Sequence, residues 1–184
     1  IIGPTGQGKT TLLTFLAGQA MRHSDLKVFF FDRHRGAEIF TRSIGGAYVG
    51  FDGDAKNVSL NPFDTANTPN NRAFLRRWLK SITMVDDALS EKEIGRAVTT
   101  AFDYLRPEER IMKNLYKSCF SPTGNMRREL FRWINPDQYG NIFNAENDSL
   151  DLSAKRFMAF DFTHIFEDET LAPAVISYIM HRIM

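Results

Sequence analysis

The residues with the clearest chemistry lie at the start of the chain, in the run Ile-Ile-Gly-Pro-Thr-Gly-Gln-Gly-Lys-Thr-Thr. Gly3, Gly8, Lys9 and Thr10 fill the pattern G-x-x-x-x-G-K-[ST] without departure. In such a glycine-rich loop, backbone N–H groups point inward and cradle phosphates, because side chains there would obstruct the approach. The pattern therefore predicts a loop that binds the phosphates of a nucleotide.

Individual residues of this loop have separate predicted roles. Lys9 can reach the β- and γ-phosphates as a point charge, and the Thr10 hydroxyl can coordinate Mg²⁺. Thr11 is placed to contact the α-phosphate. A helix that starts within the loop adds unpaired N–H groups and its dipole, which also favour an anion. The predicted nucleotide-binding residues are Gly3, Pro4, Thr5, Gly6, Gln7, Gly8, Lys9, Thr10 and Thr11.

Hydrolysis of the nucleotide needs a second, acidic motif, in which an apolar strand ends in Asp near Mg²⁺ and Glu often follows to activate water. Residues 157–161 match this pattern, but Phe162 stands where Glu is expected. Asp161 is therefore a candidate near the metal, or else only a cap of the strand end. Asp32 follows the apolar run 26–31 and is a second candidate, which could help to position Mg²⁺, water or the ribose. Its alternative role is to cap a helix or to pair with Arg33 or Arg35.

The elements that must position these residues follow from apolar spacing. Ile1 and Ile2 precede the loop as the end of a strand would, and a helix is predicted over residues 8–21. Two compact apolar runs indicate buried parallel strands, over residues 26–31 and 157–162. The remaining elements of this part are an edge strand over 47–51, a short helix over 35–44 and a buried helix over 171–184.

The middle of the chain has a different pattern. Apolar residues recur at helical spacing over residues 71–83 and 126–134. Two further helices are predicted between these segments, one that starts with a capping-box sequence at Ser90 and Glu93 and one that starts at Pro107. Consecutive helices without an intervening strand do not continue a β-α-β alternation. We therefore predict an all-helical insert subdomain over 71–149. Residues 1–70 and 150–184 would form parts of one α/β nucleotide-binding core.

Length and composition narrow the function classes. With 184 residues and 43% hydrophobic content, the chain is long enough for one domain, or one domain with an insert. A net charge of +1 neither favours nor excludes nucleic acid. The single Cys119 excludes an internal disulfide, and no apolar run is long enough to predict a membrane span. The chain opens without Met and stops inside an apolar helical pattern, so we expect a piece of a longer protein.

Two other groups of residues have types that could bind a metal or phosphates. The four histidines and Cys119 share no metal-ligand spacing, which argues against a zinc site. Basic residues cluster on two predicted helices, at Arg72, Arg76, Arg77 and Lys80 and at Arg127, Arg128 and Arg132. These clusters could meet DNA phosphates or supply an arginine to a neighbouring subunit. The alternative is solvated helix faces with ordinary ion pairs.

Several segments in the same order resemble the conjugal-transfer and type IV secretion ATPases of the CagE/TrbE group within the VirB systems. These segments are residues 3–11, 29–40, 60–63, 71–75, 139–152 and 160–165, and the resemblance extends in the same order along essentially the whole chain. Around Arg33, His34 and Arg35 the chain has His where the family pattern leads us to expect an acidic residue. A role for position 34 is therefore not carried over.

The resemblance implies a RecA-like P-loop NTPase core with a small all-helical subdomain, within the HerA/FtsK group of ring-forming motors. It implies ATP and Mg²⁺ as ligands, with Thr10 on the metal, and assembly into a homo-oligomeric ring such as a hexamer. It further implies a cytoplasmic protein, peripheral at the bacterial inner membrane, whose partners are other subunits of a secretion or conjugation channel. In this family the acidic motif with the catalytic Glu lies downstream of the segment resembling 160–165, beyond Met184.

Three functions remain open at this point. The first is an ATP-hydrolysing motor of a type IV secretion or conjugation apparatus. The second is a DNA translocase or helicase of the same superfamily, for which DNA would stimulate turnover. The third is a nucleotide-binding structural subunit that assembles with channel partners and hydrolyses little ATP. A small-molecule phosphotransferase ranks last, because the helical region lacks an evident acceptor-binding signature.

Overall fold

The computed structural model describes residues 6–51 and 58–184. The predicted strand at Ile1 and Ile2 and the loop residues Gly3, Pro4 and Thr5 lie outside the described residues. The helices are α1 (Lys9–Ala20), α2 (Glu38–Ser43), α3 (Pro69–Thr83), α4 (Ala88–Asp103), α5 (Met112–Cys119), α6 (Asn125–Ile134), α7 (Gly140–Phe143) and α8 (Leu171–Ile183). The strands are β1 (Val28–Asp32), β2 (Ala47–Gly50) and β3 (Phe157–Asp161).

The described strands form a parallel sheet in the order β1-β3-β2. Every residue of β3 is buried, as expected for the central strand of a parallel sheet. Asp32 of β1 and Gly50 of β2 both pair in register with Asp161 of β3. The strands therefore end together, at the edge where ligands bind in open α/β sheets. The predicted α/β class is confirmed, and β2 lies at one end of the three described strands.

The chain divides into two compact units. One comprises Ile1–Asn57 and Asp151–Glu167 and contains the sheet, α1 and α2. In this unit α1 buries only Thr14 among its residues. Its apolar side chains Leu12, Leu13, Phe15 and Leu16 are each more than 40% exposed.

The other unit comprises Val58–Leu150 and Asp168–Met184 and is helical. Trp78 of α3 is buried and donates its indole N–H to the carbonyl of Ala174 in α8, at 3.0 Å. Trp133 of α6 donates in the same way to the carbonyl of Ile82, at 3.2 Å. The first contact joins α8 to the other helices, and residues 58–70 belong to the same unit. The sequence analysis assigned both segments to the nucleotide-binding core, and the boundaries at 71 and 150 stay a prediction.

Three helix starts differ from the sequence predictions. The helix expected over 35–44 begins only at Glu38, because Arg35 has left-handed backbone geometry. Helix α4 begins at Ala88 with Asp87 as its N-cap, whose carboxylate accepts the N–H of Ser90 at 2.9 Å. Ser90 and Glu93 therefore do not form the predicted capping box. Pro107 opens a short 3-10 turn that is separate from α5.

Within residues 6–51 and 58–184, no helix combines the length and apolar character needed to cross a bilayer.

Candidate nucleotide-binding site

The phosphate loop leads directly into α1. Gly6 and Gly8 have φ angles of 86° and 73°, a left-handed geometry that side chains disfavour. Gly8 is the N-cap of α1, no side chain caps this helix end, and no residue of the first turn is acidic. The start of α1 therefore presents backbone N–H groups and the positive end of its dipole without a competing carboxylate. The described part of the predicted loop, Gly6–Thr11, thus combines left-handed glycines with an uncapped helix start, two features that favour an anion.

Thr10 lies beside the end of β1. The loop after β1 brings Gly36 so close that a methyl group on its Cα would lie 3.3 Å from Thr10 Cγ2. The same point is 3.7 Å from the Thr10 hydroxyl oxygen and 3.6 Å from Oδ1 of Asp32. Two of the predicted site residues, Thr10 and Asp32, therefore face a common space above Gly36.

Asp32 is buried, with 4% of its surface exposed, and both of its carboxylate oxygens accept hydrogen bonds. Oδ1 accepts the N–H of Arg33 at 2.9 Å. Oδ2 accepts the N–H of Ala37, the N-cap residue of α2, at 2.8 Å. Asp32 is therefore not the N-cap of α2, because that position is held by Ala37 and no side chain caps the helix; Asp32 instead accepts the N–H of the N-cap residue. This bond uses Oδ2, and among the described residues Oδ1 has a single donor.

Tyr48 is a site residue that the sequence analysis missed. Its hydroxyl donates to Oδ2 of Asp32 at 2.8 Å. Burial and this hydrogen bond raise the pKa of Tyr48, so its hydroxyl stays protonated and remains a donor. The guanidinium of Arg42 lies 5.9 Å from the centre of the Tyr48 ring. No spacing in the sequence connects Tyr48 to Asp32. The one indication in the sequence that Tyr48 belongs to the site is its place in a strand expected to end at the same edge of the sheet.

Asp161 lies next to Asp32 in the sheet but is bonded locally. Its Oδ1 accepts the N–H of Thr163 at 3.0 Å and also the Thr163 hydroxyl. This is a carboxylate that caps the turn after β3, the alternative considered for it. Phe162, which stands where the general acidic motif of nucleoside triphosphatases would have Glu, is buried against the rings of Phe31 and Phe51.

The loop between β1 and α2 has unusual backbone geometry. His34 and Arg35 have φ angles of 62° and 56°, and such left-handed non-glycine residues each cost about 1 kcal/mol. Hydrogen bonds hold the loop in this shape. The N–H of His34 donates to the Thr163 hydroxyl at 2.6 Å. The Asp32 carboxylate accepts the N–H of Arg33, which precedes the left-handed pair, and the N–H of Ala37, which follows it. The loop is therefore fixed by the ends of β1 and β3.

These groups fit a magnesium-bound nucleotide. Mg²⁺ prefers oxygen ligands, keeps several waters and is held by one or two protein oxygens together with phosphates. The Thr10 hydroxyl and the Oδ1 edge of Asp32 are such oxygens, and they face the same space. No group of three His, Cys, Asp or Glu able to hold a metal by itself occurs in the described part of the chain.

The basic clusters lie in the helical unit and are largely paired. Arg72 pairs with Asp103, and Lys80 pairs with Asp86 and Glu91. In the second cluster Arg128 and Arg132 both pair with Glu129. These contacts agree with solvated helix faces that carry ordinary ion pairs. The structure adds no observation that favours nucleic acid at these positions.

The chain is similar over its whole length to proteins of type IV secretion systems. It is 30% identical over 190 residues to the type IV secretion system protein virB4 of Bartonella henselae, and 31% identical over 191 residues to the virB4 protein of Agrobacterium fabrum. It is 31% identical over 199 residues to the type IV secretion system protein PtlC of Bordetella pertussis. These matches cover 99–100% of this chain and 24% of each relative. The chain thus spans about a quarter of their length.

A solved structure shares the fold. The structure of VirB4 of Thermoanaerobacter pseudethanolicus matches with a TM-score of 0.71 and 15% sequence identity, over 98% of this chain and 55% of that chain. No family model matches the chain. The structural match supports the predicted P-loop ATPase fold, present here as part of a larger one.

Proposed function

Because this chain belongs to the VirB4 family of type IV secretion proteins, we propose that it is the nucleotide-binding part of an ATPase motor for type IV secretion or conjugative transfer. The observation that supports this proposal best is the start of α1. There Gly8, which has left-handed backbone geometry, is followed by Lys9 and Thr10, and no side chain caps the helix end. The buried carboxylate of Asp32 lies beside Thr10.

In this proposal each group has a defined task. The backbone N–H groups of residues 6–11 bind the phosphates, and Lys9 neutralises the β- and γ-phosphates. The Thr10 hydroxyl ligates Mg²⁺, which when bound offsets the negative charge that develops on the phosphates. Thr11 contacts the α-phosphate. Asp32 and Asp161 stay candidates for hydrolytic chemistry, and the catalytic Glu is expected elsewhere in the full-length protein.

The proposal extends to the assembly. We infer a homo-oligomeric ring, peripheral at the cytoplasmic face of the bacterial inner membrane, that contacts other subunits of the secretion channel. Family membership supports this inference. A ring would also offer neighbouring subunits as the source of groups that complete the site.

The test measures binding of a fluorescent ATP analogue with Mg²⁺, with phosphate release recorded in the same samples. Lys9→Ala should abolish binding, because it removes the cation that faces the β- and γ-phosphates. Lys27→Ala is the matched control, since Lys27 is an exposed lysine of the same unit. Unchanged binding by Lys9→Ala would refute the proposal. Lys9-dependent release from this chain alone would make Asp32 and Asp161 the leading catalytic candidates.

A further inference from the structure

The carboxylate of Asp32 is held on one side and open on the other. Oδ2 accepts two donors, the Ala37 N–H and the Tyr48 hydroxyl, both at 2.8 Å. Within residues 6–51 and 58–184, Oδ1 accepts only the N–H of Arg33. An ionised carboxylate has about four lone-pair positions, so Oδ1 retains capacity for a further donor such as a metal-bound water.

The open oxygen is the one that faces Thr10. Oδ1 and the Thr10 hydroxyl lie 3.6 and 3.7 Å from the same point above Gly36. Because Mg²⁺ usually keeps several of its waters, a carboxylate near the metal can act through a water as well as directly. The direction in which Oδ1 points therefore matters for this side of the nucleotide site.

Tyr48 is well placed to fix that direction. It lies within β2 and pairs in register with Ala159 of the fully buried strand β3, so the sheet sets its backbone position. The other donor to Oδ2, the Ala37 N–H, belongs to a loop that contains two left-handed residues. Second-shell partners mounted on rigid elements orient ligands more accurately than partners on loops do.

We propose that Tyr48 is a positioning residue of the nucleotide site: its hydroxyl holds Oδ2 of Asp32 so that Oδ1 faces the metal-binding space beside Thr10. This inference rests on the proposed function. It gives Tyr48, a residue outside the phosphate loop, a specific effect on how strongly nucleotide binding depends on Mg²⁺.

The experiment titrates Mg²⁺ against binding of a fluorescent ATP analogue in the full-length protein. Tyr48→Phe removes only the hydroxyl, and we expect it to raise the Mg²⁺ concentration for half-maximal tight binding about tenfold. Affinity measured in EDTA should change less than twofold. Tyr139→Phe is the matched control, because the Tyr139 hydroxyl donates to Oδ2 of Asp168 at 2.7 Å in the helical unit.

A purely structural role for Tyr48 predicts a different pattern. Both Tyr→Phe variants would then lower the melting temperature, and neither would change the Mg²⁺ midpoint; that result overturns the inference. The Asp32→Asn background supplies a second test, in which Tyr48→Phe should add no further shift. Additive shifts would also overturn it. Lys9→Ala in the same assay separates the two proposals, because binding that survives this variant refutes the nucleotide site itself.

Discussion

Gly36→Ala gives the sharpest test of the geometry beside the phosphate loop. The new Cβ would lie 3.3 Å from Cγ2 of Thr10, whereas carbon atoms attract best at about 3.5–4.0 Å. Gly36 is not among the residues with positive φ, so alanine fits its backbone. The substitution therefore acts by pushing Thr10 a few tenths of an ångström.

The size of the effect follows from the geometry of Thr10. Its methyl and hydroxyl groups are both attached to Cβ, so a displaced methyl carries the hydroxyl with it. Mg²⁺ demands near-octahedral ligands at about 2.0–2.1 Å, and binding groups must hold their positions within about 0.5 Å. We expect affinity for the Mg²⁺-bound ATP analogue to fall about tenfold, which corresponds to about 1.4 kcal/mol. Stability should change by less than about 1 kcal/mol.

The assay compares nucleotide affinity with and without Mg²⁺ in the variant and in Gly95→Ala. Gly95 lies within α4, where an added Cβ would meet nothing within 4 Å. This control should bind nucleotide like the wild type. If Gly36→Ala keeps the wild-type affinity with Mg²⁺, the Thr10 hydroxyl is not a ligand or Thr10 has room to move. In both cases the expected displacement of a metal ligand by the new Cβ would be refuted.

Two further predictions concern the helical unit. Arg182 pairs with Asp148 at 2.8 Å, and burial raises the pKa of Asp148. Arg182→Met should lower the unfolding free energy by about 3–5 kcal/mol at pH 7. A carboxyl whose pKa is raised in the folded protein favours folding at low pH, and this contribution to stability is lost as the pH rises. The loss of unfolding free energy caused by Arg182→Met should therefore be smaller at pH 4 than at pH 7. Equal losses in urea unfolding at both pH values would contradict this prediction. Gly140→Ala would place a Cβ 2.6 Å from backbone atoms of Ile134 and Asn135. Gly140→Ala should lower the free energy of unfolding in urea by about 3 kcal/mol, whereas Gly95→Ala should raise it by about 1 kcal/mol. Similar values for the two variants would show that the backbone at residues 134–135 moves aside.

The sequence was informative where local signals were strong. The phosphate motif predicted the loop, and α1 begins at Lys9, one residue from the expected start. Residues 28–32 and 157–161 were recognisable as strands because both are continuous apolar runs that end in Asp. Parallel strands ending at one edge then brought Asp32 and Asp161 together, as their residue types had indicated.

The remaining features of the site depend on contacts between distant residues. Tyr48 and Asp32 are 16 positions apart, and their hydrogen bond exists only because β1 and β2 flank β3. The left-handed pair His34 and Arg35 depends on a hydroxyl from Thr163. Local propensity instead favoured a helix from Arg35. A similar competition misplaced the start of α4, where Asp87 rather than Ser90 is the N-cap.

The order of strands in the sheet has a consequence for how the protein folds. His34 and Thr163, whose hydrogen bond closes the site loop, are 129 residues apart in sequence. During synthesis the α3–α7 segment is complete before β3 emerges, and β3 must then insert between β1 and β2. Closing so long a loop is entropically costly and slow unless the intervening chain is already compact. We therefore expect helices α3–α7 to collapse first, with the proposed nucleotide site assembling later.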